Sequence, residues 1–512
     1  MNKKIQSVAY GATEKNKKQA KNQNKGVFVK TIALSFALAA FGFNANAQIG
    51  APNSKIKVYF TQPVDNAVST TGVNAVSLGN TMFDTLGAYI NRAKYTVDIA
   101  QYEYQTLSGT DPIKTAINAA YARGVKIRYI QDASQASTNT GVTSLTSAIP
   151  KLTSPAAGTA PCGGSYNIMH NKIIIVDVNS PDTTKAFVLM GSPDWDNAMQ
   201  GGDYNNEVIF QSKQLAKAYT NEFDIMWGDT THGGASNSTN SKFGPCKPAT
   251  TQHIFEIGGS KVELYFSPSD GVNNEIVSTI STATVDLYCG MFTFTETTDA
   301  TDIVNQKSAG AKAYVILDKY SSGSYTPYTS TFPSGLGSDF TGFNSSSYLY
   351  HNKYLIVNPS APCSDPKVLT GSHNWTSSAN SENDENTVII HNDTIANIYL
   401  QAFSNDFKVI SGNAVTTVAN PCPHTTGINS INNDESDFNV FPNPVTDVLN
   451  ITVKNAGDNL SVRITDQLGR LILENIVNQT NEMQMNTASL NTGVYFVTVS
   501  SGNNHYTKKI VK

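Results

Sequence analysis

The chain contains two copies of one pattern, so any fold that accepts it must build the same unit twice. KVYFTQP at 57–63 parallels ELYFSP at 263–268, and YTVDIAQYEYQT at 95–106 parallels TVDLYCGMFTFT at 284–295. ARGVKIRYIQD at 122–132 is matched in the same order by SAGAKAYVILD at 308–318. Each half therefore reads strand, helix, strand, helix, strand. Residues 113–123 have helical spacing, and Gly124 follows as a C-terminal cap before the β-rich KIRYI. Strands separated by helices of this length predict βαβ crossovers. The expected class is α/β: two repeated halves with mostly parallel sheets and helices on both faces. The apolar run Ile173-Ile174-Ile175-Val176 fits a strand buried on both faces. It places His170 and Lys172 at that strand's N-terminal end, and alternation sends both side chains to one side.

Chemistry repeats with the scaffold. His170, Lys172 and Asp177 in MHNKIIIVD recur as His351, Lys353 and Asn358 in YHNKYLIVN. Gly191-Ser192-Pro193-Asp194 and then Glu207 follow the first copy; Gly371-Ser372-His373-Asn374 and then Glu385 follow the second. His to Ser spans 22 and 21 positions, and Ser to Glu spans 15 and 13. One His-x-Lys is noise in a chain with eight His; two in register within a chain-wide repeat are not.

This paired constellation resembles the phospholipase D superfamily, whose members join two such motifs into one active site, which implies two halves packed about a pseudo-two-fold axis. A phosphodiester is anionic and resists nucleophiles, so fixed donors must neutralise its oxygens while one group attacks and another protonates the leaving oxygen. The resemblance implies attack by His170 to give a phosphohistidine and acid/base duty for His351. The reverse assignment stays open. Lys172 and Lys353 would clamp the phosphate, with Ser192, Ser372 and Asn374 as further donors. Glu207 and Glu385 match the acidic residues that hold each His in the right tautomer. Asp177 and Asn358 read as structural members of the motif, Asn358 replacing the usual Asp. Asp194 replaces the usual Asn, and a carboxylate facing phosphate would repel it unless protonated, paired to Lys172 or turned away. Trp195 and Trp375 read as core or cleft-wall residues, and Asp132 and Asp318 as turn residues. No cofactor is implied, and no Cys or His spacing suggests a zinc site.

The ends bound where the chain works. Residues 1–30 carry eight Lys and one Glu; Thr31 to Phe43 is apolar, and Ala45-Asn46-Ala47 is a small-x-small pattern. Residues 1–47 read as a secretory signal peptide cut before Gln48, with no stable transmembrane anchor. Half 1 is expected over 48–255, half 2 over 256–412 and a linker over 413–437. Residues 438–512 read as a small all-β sandwich, with strands such as VLNITV, LSVRITD and GVYFVTVSS. Phe441-Pro442-Asn443-Pro444, Asp447, Gly493-Val494-Tyr495 and the Lys-rich terminus resemble the C-terminal sorting domain of type IX secretion in Bacteroidetes. That implies the type IX machinery as partner and a secreted or surface-attached product.

Charge then bears on substrate. The chain carries −4; the first 47 residues hold +7 and residues 438–512 hold +1, which leaves −12 on the body. Polynucleotide binders gain affinity by presenting Lys and Arg to phosphates, so an acidic body favours lipid over nucleic acid. The expected activity is metal-independent hydrolysis of phospholipid headgroups. A superfamily endonuclease and a non-catalytic surface binding protein are the alternatives. Loops 134–167 and 321–347 precede the His motifs, and Tyr325, Tyr328, Phe332, Leu336 and Phe340 are candidate lipid contacts. The candidate disulfides are Cys162 with Cys246 and Cys363 with Cys422, among three possible pairings. Cys289 reads as a buried free thiol.

Overall fold

A computed structural model describes residues 55–198, 202–417, 438–453, 459–466, 471–478, 481–501 and 504–512. The predicted signal peptide lies outside the described residues. Half 1 runs β1 (Ile56–Phe60), α1 (Met82–Asn91), β2 (Thr96–Gln101), α2 (Pro112–Ala122), β3 (Lys126–Gln131), β4 (Lys151–Thr153), β5 (Lys172–Val176), β6 (Phe187–Gly191), β7 (Asn206–Gln211) and α3 (Lys213–Trp227). Half 2 opens on β8 (Ile254–Ile257) and then repeats the series. It runs β9 (Ser260–Ser267), α4 (Val272–Ser281), β10 (Asp286–Met291), α5 (Thr297–Ser308), β11 (Lys312–Asp318), β12 (Phe340–Phe343), β13 (Lys353–Val357), β14 (Lys367–Gly371), β15 (Glu385–His391) and α6 (Asp393–Ser411).

The sheet orders are β1-β7-β6-β5-β2-β3-β4 and β8-β9-β15-β14-β13-β10-β11-β12. The α/β class and the repeat hold, but the expectation of mostly parallel sheets does not. Only β2/β3/β4 and β10/β11/β12 pair in parallel; every other ladder of the two sheets is antiparallel. The physical reason is connection length. The β2-α2-β3 crossover can return a strand in parallel, whereas the links from β5 to β6 and β6 to β7 hold no helix of crossover length and reverse the chain.

Burial follows this layering. Ile174 and Val176 of β5 pack in a core with α1 and α2, while Ile173 and Ile175 face an inner core. That inner core also takes α3, α6 and the inner face of the second sheet, so it joins the halves. Trp195 and Trp375 are buried in the outer cores of their halves. Asp177 and Asn358 end their strands at φ 54, in the left-handed region that Asp and Asn tolerate. Asp177 accepts from the backbone N–H groups of Lys94, Tyr95 and Thr96; Asn358 Oδ1 accepts from those of Thr284, Val285 and Asp286. Oδ1 does the same work in both residues, and Asn358 Nδ2 additionally donates to Thr282 O and Ser364 O.

Cys162 pairs with Cys246, and Cys289 is a buried free thiol. Cys363 is disulfide-bonded; Cys422 lies outside the described residues. Phe332 and Leu336 are core residues, with Tyr328 and Phe340 packed against them, so of the candidate lipid contacts only Tyr325 is exposed. The C-terminal region forms a three-stranded sheet, β16 (Phe438–Phe441), β17 (Val448–Val453) and β20 (Glu482–Asn486). A four-stranded sheet of β18 (Asn459–Asp466), β19 (Leu471–Asn478), β21 (Val494–Ser501) and β22 (Asn504–Val511) shares one apolar core with it. This is a small all-β module. Among the described residues, no helix is long and apolar enough to cross a membrane.

Candidate active site

The two His motifs meet where the halves join. Met169 N–H donates to Asp132 Oδ2 (2.7 Å) and Tyr350 N–H to Asp318 Oδ2 (2.8 Å). Asp132 and Asp318 are thus more than turn residues, because each fixes the backbone immediately before a motif His. His170 N–H also crosses to the other half, donating to Asp384 O at 2.9 Å.

The residues behind the imidazoles are exchanged between halves. His170 Nδ1 lies 2.8 Å from Glu385 Oε2, and His351 Nδ1 lies 3.2 Å from Asn205 Oδ1. Ser372 Oγ donates to Glu385 (2.6 Å), and Ser192 Oγ donates to Asn205 (2.7 Å). Glu385 and Asn205 are therefore equivalent. Register agrees: Gly371 pairs with Thr387 and Gly191 with Glu207, so the counterpart of Glu207 is Thr387. The expectation that Glu207 backs a His is corrected. A count of 13 from each Ser reaches Glu385 and Asn205, whereas nearest-acid matching skipped two positions to Glu207. Glu207 is buried, and burial raises its pKa well above the usual carboxylate range. Ser192 and Ser372 are corrected too: their hydroxyl hydrogens go to Asn205 and Glu385, not toward a phosphate. The preceding glycines are required by close approach, since a Cβ on Gly191 or Gly371 would sit 2.2 or 2.0 Å from a carbonyl oxygen of the next strand.

The two Lys side chains are buried beside aromatic rings. Lys172 Nζ stands 4.9 Å from the Tyr102 ring centre and Lys353 Nζ 5.1 Å from that of Phe292. The same rings pack edge-on against His170 and His351. Tyr102 and Phe292 were missed by the sequence reading; register makes them equivalent, since Gln101 pairs with Lys172 and Met291 with Lys353, whereas the quoted repeats are offset by one position there. Burial and the neighbouring Lys172 push Lys353 well below its usual pKa. His351 is likewise lowered by burial, with Lys353, Lys172 and His170 adding to it. An anion placed between the cations would relieve both. Asp194 already supplies part of that charge: Oδ1 lies 3.0 Å from Lys172 Nζ and Oδ2 3.9 Å from His351 Nε2. Asn374, its counterpart, accepts from Thr293 N–H through Oδ1 (3.3 Å), leaving its amide hydrogens for other acceptors. His373, buried beside His170 and Glu385, is also unanticipated. Burial is the main force lowering its pKa to about 4, so its ring stays neutral.

Glu385 carries a testable pH signature. Burial alone would raise its pKa, but His170 and Ser372 outweigh it and lower the pKa to about 2. A depressed carboxylate adds stability above its unfolded pKa and loses it as pH falls through the folded value. The Glu385→Gln variant is expected to be less stable than wild type at pH 7 by roughly 3 kcal/mol, with the gap closing between about pH 4 and pH 2. Urea unfolding across that range checks it; a gap that does not change with pH would refute the linkage.

Residues 86–227 and 276–407, together more than half of the chain, match the family described as "Cardiolipin synthase, PLD-like domain", once in each half. Residues 439–512 match "Secretion system C-terminal sorting domain". A Phospholipase D of Rickettsia prowazekii is 28% identical over 148 residues, covering 29% of this chain and 68% of that protein. A Mitochondrial cardiolipin hydrolase of Drosophila melanogaster is 28% identical over 151 residues, covering 27% of this chain and 55% of that protein. Among solved structures, Nuc of Salmonella typhimurium, a phospholipase D family member, aligns at 21% identity and a TM-score of 0.25, covering 30% of this chain and 97% of that one. With two matches in register on the two halves that build the paired site, the chain belongs to the phospholipase D-like family, and its C-terminal domain marks it for type IX export to the cell surface or beyond.

Proposed function

We propose that this chain hydrolyses phosphodiesters through a covalent phosphohistidine at His170. The observation that carries the assignment is the asymmetry behind the two rings: a carboxylate behind His170, an amide behind His351. When Nε2 of His170 attacks phosphorus, the P–N bond forms, the P–O bond to the leaving alcohol breaks, and the ring becomes cationic. Glu385, holding the Nδ1–H, stabilises that charge. His351 gives its Nε2 proton to the departing oxygen, and an amide-backed imidazolium releases a proton more readily than a carboxylate-backed one. Water then gives a proton to His351 and attacks phosphorus; the P–N bond breaks, and a phosphomonoester leaves. Lys172 and Lys353 neutralise the oxygens throughout.

The proposed substrate is a phospholipid with a cationic headgroup such as choline. Asp194 and Asp196 both act electrostatically on Glu103, which burial holds above its usual pKa, so carboxylates gather on the half-1 wall of the cleft. Such a wall repels polynucleotide and attracts an ammonium alcohol. The test is choline release from phosphatidylcholine vesicles by residues 48–512 in excess EDTA, with single-stranded DNA as the competing substrate. Choline release without DNA cleavage supports the reading; DNA cleavage alone would assign the site to nucleic acid.

Asp194 gives a separate prediction. Because its carboxylate holds Lys172, substrate phosphate must displace it. Asp194→Asn is expected to lower KM by about tenfold, or ~1.4 kcal/mol, at nearly constant kcat. Steady-state kinetics decides; an unchanged KM with a collapsed kcat would instead make Asp194 the proton carrier for His351.

A further inference from the structure

A second anion site is built into half 1, at the far end of the strand that carries the catalytic motif. Beyond Val176 the chain borders a cavity of about 570 Å³ lined by Lys55, Lys57, Arg92, Lys94 and Lys185, with Tyr89 and Phe187 among its walls. Seven extended residues separate Asp177 from His170, about 23 Å, so this cavity is distinct from the catalytic cleft. The Arg92 guanidinium stacks over Tyr89 at 4.3 Å, and Lys57 Nζ donates to Tyr89 Oη at 3.2 Å. Lys185 has only an exposed contact with Asp182 at 4.0 Å. Among the described residues, no side-chain ion pair involves Lys55, Lys57, Arg92 or Lys94. Five cations thus converge on one concavity of an otherwise acidic body.

The internal repeat shows that the fold does not require them. Strand register and the shared Asp177/Asn358 contacts place Lys57 opposite Glu263, Arg92 opposite Thr282, Lys94 opposite Thr284 and Lys185 opposite Asp365. Lys55 is matched by Lys261. In half 2 these positions close on themselves: Lys261 pairs with Glu263 (2.7 Å), His391 bridges Glu263 (2.7 Å) and Asp365 (2.8 Å), and Lys367 pairs with Asp365 (2.8 Å). The same place in the fold is self-neutralised in one half and left cationic in the other.

We propose that this cavity binds a multiply charged phosphate anion, either free or as the phosphomonoester headgroup of a lipid. Its volume falls within the range of small-ligand sites, and a concave cluster of five cations, four of them without an ion pair among the described residues, concentrates anions strongly at low salt. The inference stands independently of the hydrolase reading. Pyrophosphate is the free probe, titrated calorimetrically into the exported chain; vesicles of phosphatidylcholine with and without phosphatidate are the lipid probe, read by co-sedimentation with all chains carrying His170→Asn so that the cleft makes no phosphatidate in the control. Lys57→Glu/Lys185→Asp installs the half-2 residues, and Arg92→Thr/Lys94→Thr is a second transplant should the first fold poorly. Wild type is expected to bind one more equivalent of pyrophosphate than either variant, or to lose phosphatidate-dependent sedimentation at least tenfold on substitution, with cleft hydrolysis unchanged. Pyrophosphate binding alone assigns a free anion, and phosphatidate-dependent sedimentation assigns a headgroup. Equal stoichiometry and equal sedimentation in wild type and variants would overturn the site.

Discussion

Phosphodiester hydrolysis is expected to fall by about 10⁴-fold in His170→Asn, because in the proposed reaction His170 forms the bond to phosphorus. The more discriminating variant is His351→Asn. With an alkyl leaving group it too should be nearly dead, since the departing alkoxide needs its proton. With a p-nitrophenyl ester the leaving group departs without acid help, so the first step survives while the second stalls for want of a base. One equivalent of p-nitrophenol should appear in a burst, and phosphoryl label should accumulate on His170, seen as a mass increment on its peptide. Label on His351 in the His170→Asn variant would reverse the two roles.

The second large effect is structural. Lys247 is buried with two carboxylates, donating to Glu222 and lying 2.8 Å from Asp384, and it also donates to Ser267 O at 2.8 Å. Burial alone would lower the ammonium's pKa, but Asp384 and Glu222 outweigh it and hold it raised. Lys247→Met leaves two carboxylates buried without a cation, which is expected to cost about 3–5 kcal/mol and lower the unfolding midpoint by on the order of 10 °C. Neutralising the partners as well, in Lys247→Met/Glu222→Gln/Asp384→Asn, should restore most of that loss. Thermal unfolding compares them, and a triple variant no more stable than the single one would refute the explanation. Activity should suffer in the single variant as well. Asp384 takes the backbone N–H of His170, precedes Glu385, and accepts from Gly244 N–H beside the Cys162–Cys246 bridge.

Much of the site could be read along the chain. His170, Lys172, His351, Lys353 and Glu385 are brought together as their spacing implied, because the repeat fixes each motif at the start of an equivalent strand. Asp177 and Asn358 were legible for a similar reason, since their contacts are to nearby backbone. Glu207 was not legible. It and Asn205 lie two positions apart on one side of the chain; the equal 13-residue spacing from each Ser marks Asn205, but nothing in an amide announces a partner for an imidazole until the contact across the interface is seen. Ser192 and Ser372 failed because a hydroxyl's bonding direction is set by its neighbours. Tyr102 and Phe292 each directly follow their strand, but an aromatic there is indistinguishable from core until the lysine beside it is seen.

The amino-acid sequence by itself determined that this chain builds one α/β unit twice, places a His and a Lys at the head of each inner strand, and ends in a β module that directs export. Those properties follow from local periodicity and from residues that act within one strand or one turn. Only the tertiary structure decided that most ladders are antiparallel, that Glu385 serves His170 while Asn205 serves His351, and that Asp194 rests on Lys172. Each of these depends on contacts between segments distant in the chain, where a shift of one register position changes the partner.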